Sequence, residues 1–187
     1  RVLNVNNGGT LTVTDTLAVW NTAGSSLNLN GGTLNTAELN FNGNPALLNW
    51  TSGTLNINKN ATFDSTAPPT STSAAFGGSL AIGAGQTLAI TGNEVLAGPG
   101  IFALTVAGGG SHIVTGSLTV AASAGGVGQL TVTGSGSSVQ SGAVVGIGYN
   151  DGANGALAIS DGGSLQGTVI NIGTFAGAVG QATVSGA

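Results

Sequence analysis

The fold is decided by a stretch near the carboxyl end of the chain, Gly155-Ala156-Leu157-Ala158-Ile159-Ser160-Asp161-Gly162-Gly163-Ser164-Leu165. Apolar residues alternate with small or polar ones around Leu157 and Ile159. This period of two is typical of a β-strand, whose successive side chains point to opposite faces. Asp161-Gly162-Gly163 then favours a corner, because glycine adopts positive φ freely and aspartate tolerates it. The unit is therefore a short strand, a corner and the start of another strand.

The same unit recurs along the whole chain. Its first apolar residue is found at Leu11, Leu34, Leu55, Leu80, Leu104, Leu130, Leu157 and Ala182. Further alternating segments lie within each interval, so a period of about 24 residues corresponds to three short strands and three corners. No window has the apolar spacing of a helix, and the 35 glycines disfavour one.

Two architectures accommodate many short strands: an antiparallel sandwich or barrel, and a solenoid whose coils stack strand on strand. The near-constant period favours an all-β solenoid of about eight coils. We expect aliphatic ladders inside it, formed by Leu11, Val13, Leu55, Ile57, Leu80, Ile82, Leu104, Val106, Leu130, Val132, Leu157 and Ile159.

The solenoid is expected to be one continuous unit over residues 1–187, interrupted by a loop. Paired prolines, Pro68 and Pro69, cannot continue a ladder, so the Ser/Thr/Pro-rich segment 65–76 is predicted to leave the coil. The repeat pattern is still running at the last residues, and we expect the chain to be a fragment of a longer protein.

The composition disfavours several classes of function. Only two basic and six acidic side chains are present, and there is no cysteine. No basic cluster is available for nucleic acid, no apolar run is long enough for a membrane span, and disulfides are excluded. The sequence predicts no catalytic residues, no metal site and no cofactor.

Residues 127–187 carry the clearest repeats, among them Val127-Gly128-Gln129-Leu130-Thr131-Val132 and Val179-Gly180-Gln181-Ala182-Thr183-Val184. They resemble the repeat of autotransporter (type V secretion) passengers and of secreted bacterial proteins with a PEP-CTERM sorting signal. The resemblance implies a right-handed parallel β-helix displayed outside a bacterial cell as stalk, adhesin or matrix component. It brings no catalytic residues to transfer.

The few chemically active side chains have structural interpretations. Asp151 and Asp161 lie in corner sequences, although paired carboxylates also serve acid/base catalysis or calcium binding. His112 is expected at a strand edge, since a zinc site needs further ligands. A polysaccharide-active enzyme would need clustered acids and bases that this chain lacks.

A candidate ligand face is formed by Thr10, Thr12, Thr14, Asn35 and Asn56, which are expected to point outward from neighbouring coils. A flat threonine array on a solenoid can bind ice, and a polar face can bind glycans. The alternative explanation for the threonines is their ordinary preference for β-strands. Trp20, Trp50 and Phe41 are expected to fill corners rather than form a sugar-stacking patch. Stacked amide ladders are predicted among Asn28, Asn30, Asn35, Asn40, Asn42, Asn56 and Asn58.

These observations favour a non-enzymatic structural segment of a secreted bacterial surface or matrix protein. Open strand edges template pairing with another chain, so we expect head-to-tail or lateral self-association. The alternative function is an adhesin, a β-solenoid that binds glycans or ice.

Overall fold

The computed structural model describes residues 1–186 and is an all-β solenoid of about seven coils with three strands per coil. The strands are β1 (Val2–Asn6), β2 (Thr10–Ala18), β3 (Ser26–Asn40), β4 (Leu48–Ile57), β5 (Ala61–Phe63), β6 (Ser79–Ile82), β7 (Gln86–Ile90), β8 (Glu94–Leu96), β9 (Ile101–Ala107), β10 (Ser111–Val114), β11 (Leu118–Val120), β12 (Val127–Thr133), β13 (Ser138–Ser141), β14 (Val144–Ile147), β15 (Asn154–Ser160), β16 (Ser164–Gln166), β17 (Val169–Ile172) and β18 (Val179–Val184). Short 3-10 turns lie at Pro45–Leu47 and Thr72–Ala74. The solenoid predicted from the repeat is confirmed.

The strands stack into three parallel sheets, the three faces of the rod. Face A contains the first part of β2 and the middle and later parts of β3 and β4, followed by β7, β10, β13 and β16; β1 and the first parts of β3 and β4 belong to the same hydrogen-bonded sheet but precede face A by one corner in each coil. Face B contains β5, β8, β11, β14 and β17, and face C contains β6, β9, β12, β15 and β18. At the usual strand spacing of about 4.8 Å, the stacked coils make a rod on the order of 34 Å long.

The sequence period overestimates the number of coils by one. Leu55 pairs with Leu88 on face A, whereas Leu80 pairs with Leu104 on face C. The interval from Leu55 to Leu80 therefore runs from one face to another within a single coil. It resembles a coil repeat because the loop between β5 and β6 adds residues.

The core is a stack of aliphatic rungs inside the coils. Leu55, Ile57, Ile82, Leu104, Val106, Leu130, Val132 and Leu157 are buried as predicted. Leu11, Val13, Leu80 and Ile159 are only half-buried. Leu11 lies in the first described coil, and Ile159 lies beside the last strand of face C, so both are less covered by neighbouring coils than the inner rungs.

The second half of the loop between β5 and β6 fills a gap on face B, whereas Ser65, Thr66 and residues 68–70 are exposed to solvent. The Thr72 hydroxyl accepts a hydrogen bond from the Leu39 amide at 3.0 Å, and the Ser73 carbonyl accepts one from the Asp64 amide at 2.9 Å. Phe76 is buried and packs edge-on against Phe63, with ring centroids 5.1 Å apart. The excursion predicted at 65–76 thus supplies the hydrogen bonds that β5 and β3 do not exchange.

Within the described residues, no helix is long and apolar enough to cross a bilayer.

Candidate ligand face, buried pair and rod ends

The outer surface of face A carries an unbroken rank of hydroxyl groups. Successive strand pairings place Thr10, Thr33, Thr54, Thr87, Ser111, Ser138 and Ser164 opposite one another from coil to coil. The parallel rank two residues on is mixed: Thr12, Asn35, Asn56, Ala89, Ile113, Gln140 and Gln166. The first rank on face A is therefore chemically regular, and the second rank beside it is not.

The structure brings four of the five candidate ligand residues onto these ranks. Thr10 lies in the first rank, and Thr12, Asn35 and Asn56 lie in the second. Thr14 lies where the register of β2 shifts between Val13 and Thr16, so it has no partner in β3. The sequence period does not reveal the hydroxyl rank beyond Thr54, because it leads from Leu55 to Leu80, and the residues flanking Leu80 lie on face C.

Two side-chain ladders connect the first three coils, which confirms the predicted amide stacking for Asn28, Asn35 and Asn56. In one, the Asn28 amide donates to Asn4 Oδ1 at 2.7 Å, and the Asn49 amide donates to Asn28 Oδ1 at 2.9 Å. In the other, Asn35 donates to Thr12 Oγ1 at 3.2 Å and Asn56 donates to Asn35 Oδ1 at 2.5 Å. The candidate ligand residues Thr12, Asn35 and Asn56 thus already bond to one another.

A histidine and a glutamate are sealed inside the rod. His112 Nε2 lies 2.6 Å from Glu94 Oε2, His112 Nδ1 lies 3.3 Å from the Leu88 carbonyl oxygen, and both side chains are 0% exposed. The other carboxylate oxygen, Glu94 Oε1, is buried without a hydrogen-bond partner. Because solvent and substrate cannot reach the pair, it is part of the core.

The expectation that His112 lies at a strand edge is wrong. His112 occupies an inward rung of face A between Leu88 and Val139, and Glu94 occupies an inward rung of face B next to Leu118. The alternation in Ser111-His112-Ile113-Val114 permits either parity, since Ile113 is as apolar as Val114. Only the register with Leu88 decides that His112 points inward.

Asp64 is the other buried acid, and it anchors a corner. Its Oδ1 accepts hydrogen bonds from the Thr66 amide at 2.8 Å and the Thr66 hydroxyl at 2.7 Å, and its Oδ2 accepts one from the Gly100 amide at 3.0 Å. Burial alone would raise the pKa of Asp64, but these donors together lower it below its usual value. The role is to fasten the loop to the following coil.

The remaining charged side chains of the described residues lie on the surface, and apart from the Lys59–Glu38 pair they do not contact one another. Lys59 bonds to Glu38, and this hydrogen bond lowers the pKa of Glu38 despite partial desolvation. Asp161 has φ 52° and accepts hydrogen bonds from Thr133 at 2.9 Å and Ser160 at 3.0 Å, so it is a corner residue as expected. Across residues 1–186, no three metal-binding side chains come together.

The three aromatic residues considered for sugar stacking do not share a surface. Phe41 is buried, and Trp50 is half-buried with its Nε1 donating to the Gly53 carbonyl at 3.2 Å. Trp20 is 66% exposed at the amino-terminal end of the rod. Only Trp20 is therefore accessible as a stacking platform.

Both ends of the rod expose side chains that inner coils bury. Ile170 and Ile172 are 47% and 49% exposed, whereas Val145 and Ile147, their partners one coil earlier, are fully buried. At the other end, a hollow of about 210 Å³ is lined by Val2, Leu3, Leu17, Val19 and Trp20, among others. These exposed side chains belong to the first and last described coils.

Comparison of the chain with protein-family models, with curated proteins and with solved structures found no match.

Proposed function

We propose that this chain is a non-enzymatic structural segment of a secreted bacterial surface or extracellular-matrix protein, acting as a stalk or a self-associating fibre subunit. The observation that carries the proposal is the continuous pairing of face A from β2 to β16. Inter-strand hydrogen bonds run along the rod axis, so the backbone of the strands in each coil is bonded to the next coil. Such a rod can act as a stiff spacer, and this role needs no binding pocket.

The charge distribution supports a mechanical role. Lys59 and Glu38 pair with each other, and Glu94 lies in the core against His112. Salt screens exposed charges strongly but affects backbone ladders and aliphatic rungs little. The rod should keep its dimensions across a wide range of ionic strength.

The proposed location follows from the sequence. The repeats of residues 127–187 resemble those of autotransporter passengers and PEP-CTERM proteins, which are displayed outside bacterial cells. Cysteine and methionine are both absent, so the chain tolerates an oxidising environment.

Small-angle scattering of the 187-residue chain at low and at molar salt tests the mechanical role. The proposal predicts an elongated particle with the same cross-section at both salt concentrations. A particle that becomes compact or loses its rod profile at molar salt would contradict it.

A second candidate function, glycan or ice binding, is favoured by the hydroxyl rank of face A. Replacing Thr54 and Thr87 by valine removes two central hydroxyls at nearly constant shape. The matched control replaces Thr105 and Thr131 by valine at outward, half-buried positions of face C.

A glycan array and a thermal-hysteresis assay then decide the matter. Binding that is lost in the face A variant and kept in the face C variant would establish the ligand face. If the wild-type chain binds neither glycans nor ice, the second candidate function is refuted and only the structural role remains.

A further inference from the structure

We infer that the rod contains a hinge between two blocks of coils, a first block of residues 1–50 and a second block of residues 58–186. Face A connects the blocks and bends, and the loop between β5 and β6 is a strap that keeps the other two faces closed. The hinge follows from the strand pairing itself, and only its use in a stalk rests on the proposed function.

Two of the three faces are interrupted at the junction between the blocks. Strand β5 pairs with β8 and strand β6 pairs with β9, and across residues 1–186 neither strand is paired on its other side. The segments of the first block that lie nearest in the coil order, residues 38–40 and 48–50, pair with the preceding coil instead. Between the coil of β7, β8 and β9 and the coil of β10, β11 and β12, by contrast, all three faces are paired.

Within the described residues, face A is the sheet that continues through the junction. Residues 53–57 of β4 pair with β7 on one side, and the same segment pairs with residues 33–36 of β3 on the other. A rod that is bonded to its neighbour on one face bends about that face, whereas bonding on three faces prevents this. Local stability also falls where few backbone hydrogen bonds cross a boundary.

Two cavities lie along the same junction. One, of about 220 Å³, is lined by Leu48 and Trp50 of the first block and by Leu80 of the second, and all three side chains are only half-buried. The other, of about 240 Å³, is lined by Glu38 of the first block and by loop residues 71–73. Because side chains that line a void lose packing contacts, the two blocks adhere less strongly than neighbouring coils elsewhere.

The loop holds the blocks together on face B. The Leu39 amide of the first block donates a hydrogen bond to the Thr72 hydroxyl oxygen at 3.0 Å, and the Gly43 amide donates one to the Pro69 carbonyl oxygen at 2.9 Å. Asp64 fastens the loop to the second block. These individual hydrogen bonds take the place of a strand ladder, so the loop acts as a strap.

On face C a side chain links the blocks. The Gln86 amide nitrogen donates a hydrogen bond to the Trp50 carbonyl oxygen, and Gln86 Oε1 accepts one from the Gly83 amide. The exposed Lys59–Glu38 pair also crosses the junction, but a surface ion pair contributes little to stability. We therefore expect the blocks to separate on faces B and C while face A stays paired.

Distances between spin labels test the hinge, because the chain has no cysteine of its own. The junction pair is Ala46→Cys/Ala158→Cys, and the matched control is Ala81→Cys/Ala158→Cys, in which both labels lie in the second block. All three positions are exposed alanines. In the control, the labelled strands β6 and β15 are three strand spacings apart, about 14 Å. Pulsed electron paramagnetic resonance should give a broader distance distribution for the junction pair than for the control pair.

Loosening the strap should affect the junction pair alone. The change Thr72→Val removes the acceptor of the Leu39 amide at nearly constant shape, so it should broaden the junction distribution further and leave the control distribution unchanged. Thr105→Val, at an outward position of face C, should change neither. Equal widths for the two pairs without the valine, or an equal response of the two pairs to Thr72→Val, would overturn the hinge.

Hydrogen exchange of the wild-type chain is a check that needs no variant. Leu39 and Ala121 are both fully buried; the Leu39 amide bonds to the strap, and the Ala121 amide bonds to the Leu96 carbonyl oxygen at 2.7 Å across a fully paired boundary. The Leu39 amide should exchange roughly ten times faster, because opening of the junction exposes it. Equal exchange rates in a particle that still scatters as a rod would refute the hinge and keep the structural role, whereas loss of the rod profile would refute the structural role itself.

Discussion

For the buried His112–Glu94 pair, we expect a single substitution to lower the stability of the fold and the double substitution to restore it. The change His112→Leu leaves Glu94 with both carboxylate oxygens unpaired in a fully buried site. Leaving a buried side chain without its hydrogen-bond partner in this way costs about 1–3 kcal/mol. Because 1 kcal/mol shifts the melting temperature of a chain of this size by about 2–4 °C, we expect a decrease of roughly 2–12 °C.

The double change His112→Leu/Glu94→Leu should restore the stability. Each leucine then continues a ladder that already contains one, Leu88 beside position 112 and Leu118 beside position 94. Replacing a buried polar pair of this kind by well-packed apolar residues is often neutral or stabilising by about 1–4 kcal/mol. The double variant should therefore melt at or above the wild-type temperature.

Thermal unfolding followed by circular dichroism, with urea midpoints as a second measure, completes the double-mutant cycle. A single variant as stable as the wild type would show that the pair is not buried as described. A double variant as unstable as His112→Leu would show that the rungs cannot accept leucine, which would refute the packing argument.

Three further predictions concern an anchor, a close contact and a ladder. The pKa of Asp64 in the folded state lies below its usual 3.8, so the ionised carboxylate stabilises the fold above that pH, and this contribution is lost as the pH falls through the lowered value. Urea midpoints measured against pH should therefore decrease at acid pH. The variant Asp64→Asn should lack this part of the pH dependence. An alanine at Gly128 would place Cβ 2.5 Å from the Ala121 amide nitrogen, so Gly128→Ala should cost about 1–3 kcal/mol in urea unfolding, whereas Gly186→Ala, with nothing within 4 Å, should cost nothing measurable. Asn28→Ala removes both hydrogen bonds of the first amide ladder and should lower stability by about 1 kcal/mol in the same assay; an unchanged midpoint would contradict a stabilising ladder.

The features of the fold that depend on local pattern could be predicted from the sequence. The period-two alternation around Leu130 and Leu157 gives strands whose buried face is correct, and the Asp161-Gly162 corner adopts the expected positive φ values. These features depend on side-chain parity and on glycine, which a single sequence displays directly. The amide ladders followed from asparagines recurring at the coil period.

The features that depend on register could not be predicted. The interval between Leu55 and Leu80 has the length of a coil, and only the backbone pairing of Leu55 with Leu88 shows that it is not one. The hydroxyl rank also follows from that pairing, and the inward position of His112 follows from its pairing with Leu88. Glu94 meets His112 across the core from a different face, and no local signal connects two residues 18 positions apart on separate sheets.

Cryo-electron microscopy of the purified chain tests the central claim, that this is a structural rod built of stacked coils, most directly. The account predicts rod-shaped particles with a strand spacing near 4.8 Å along the axis. Compact particles without the axial strand spacing would contradict the structural role.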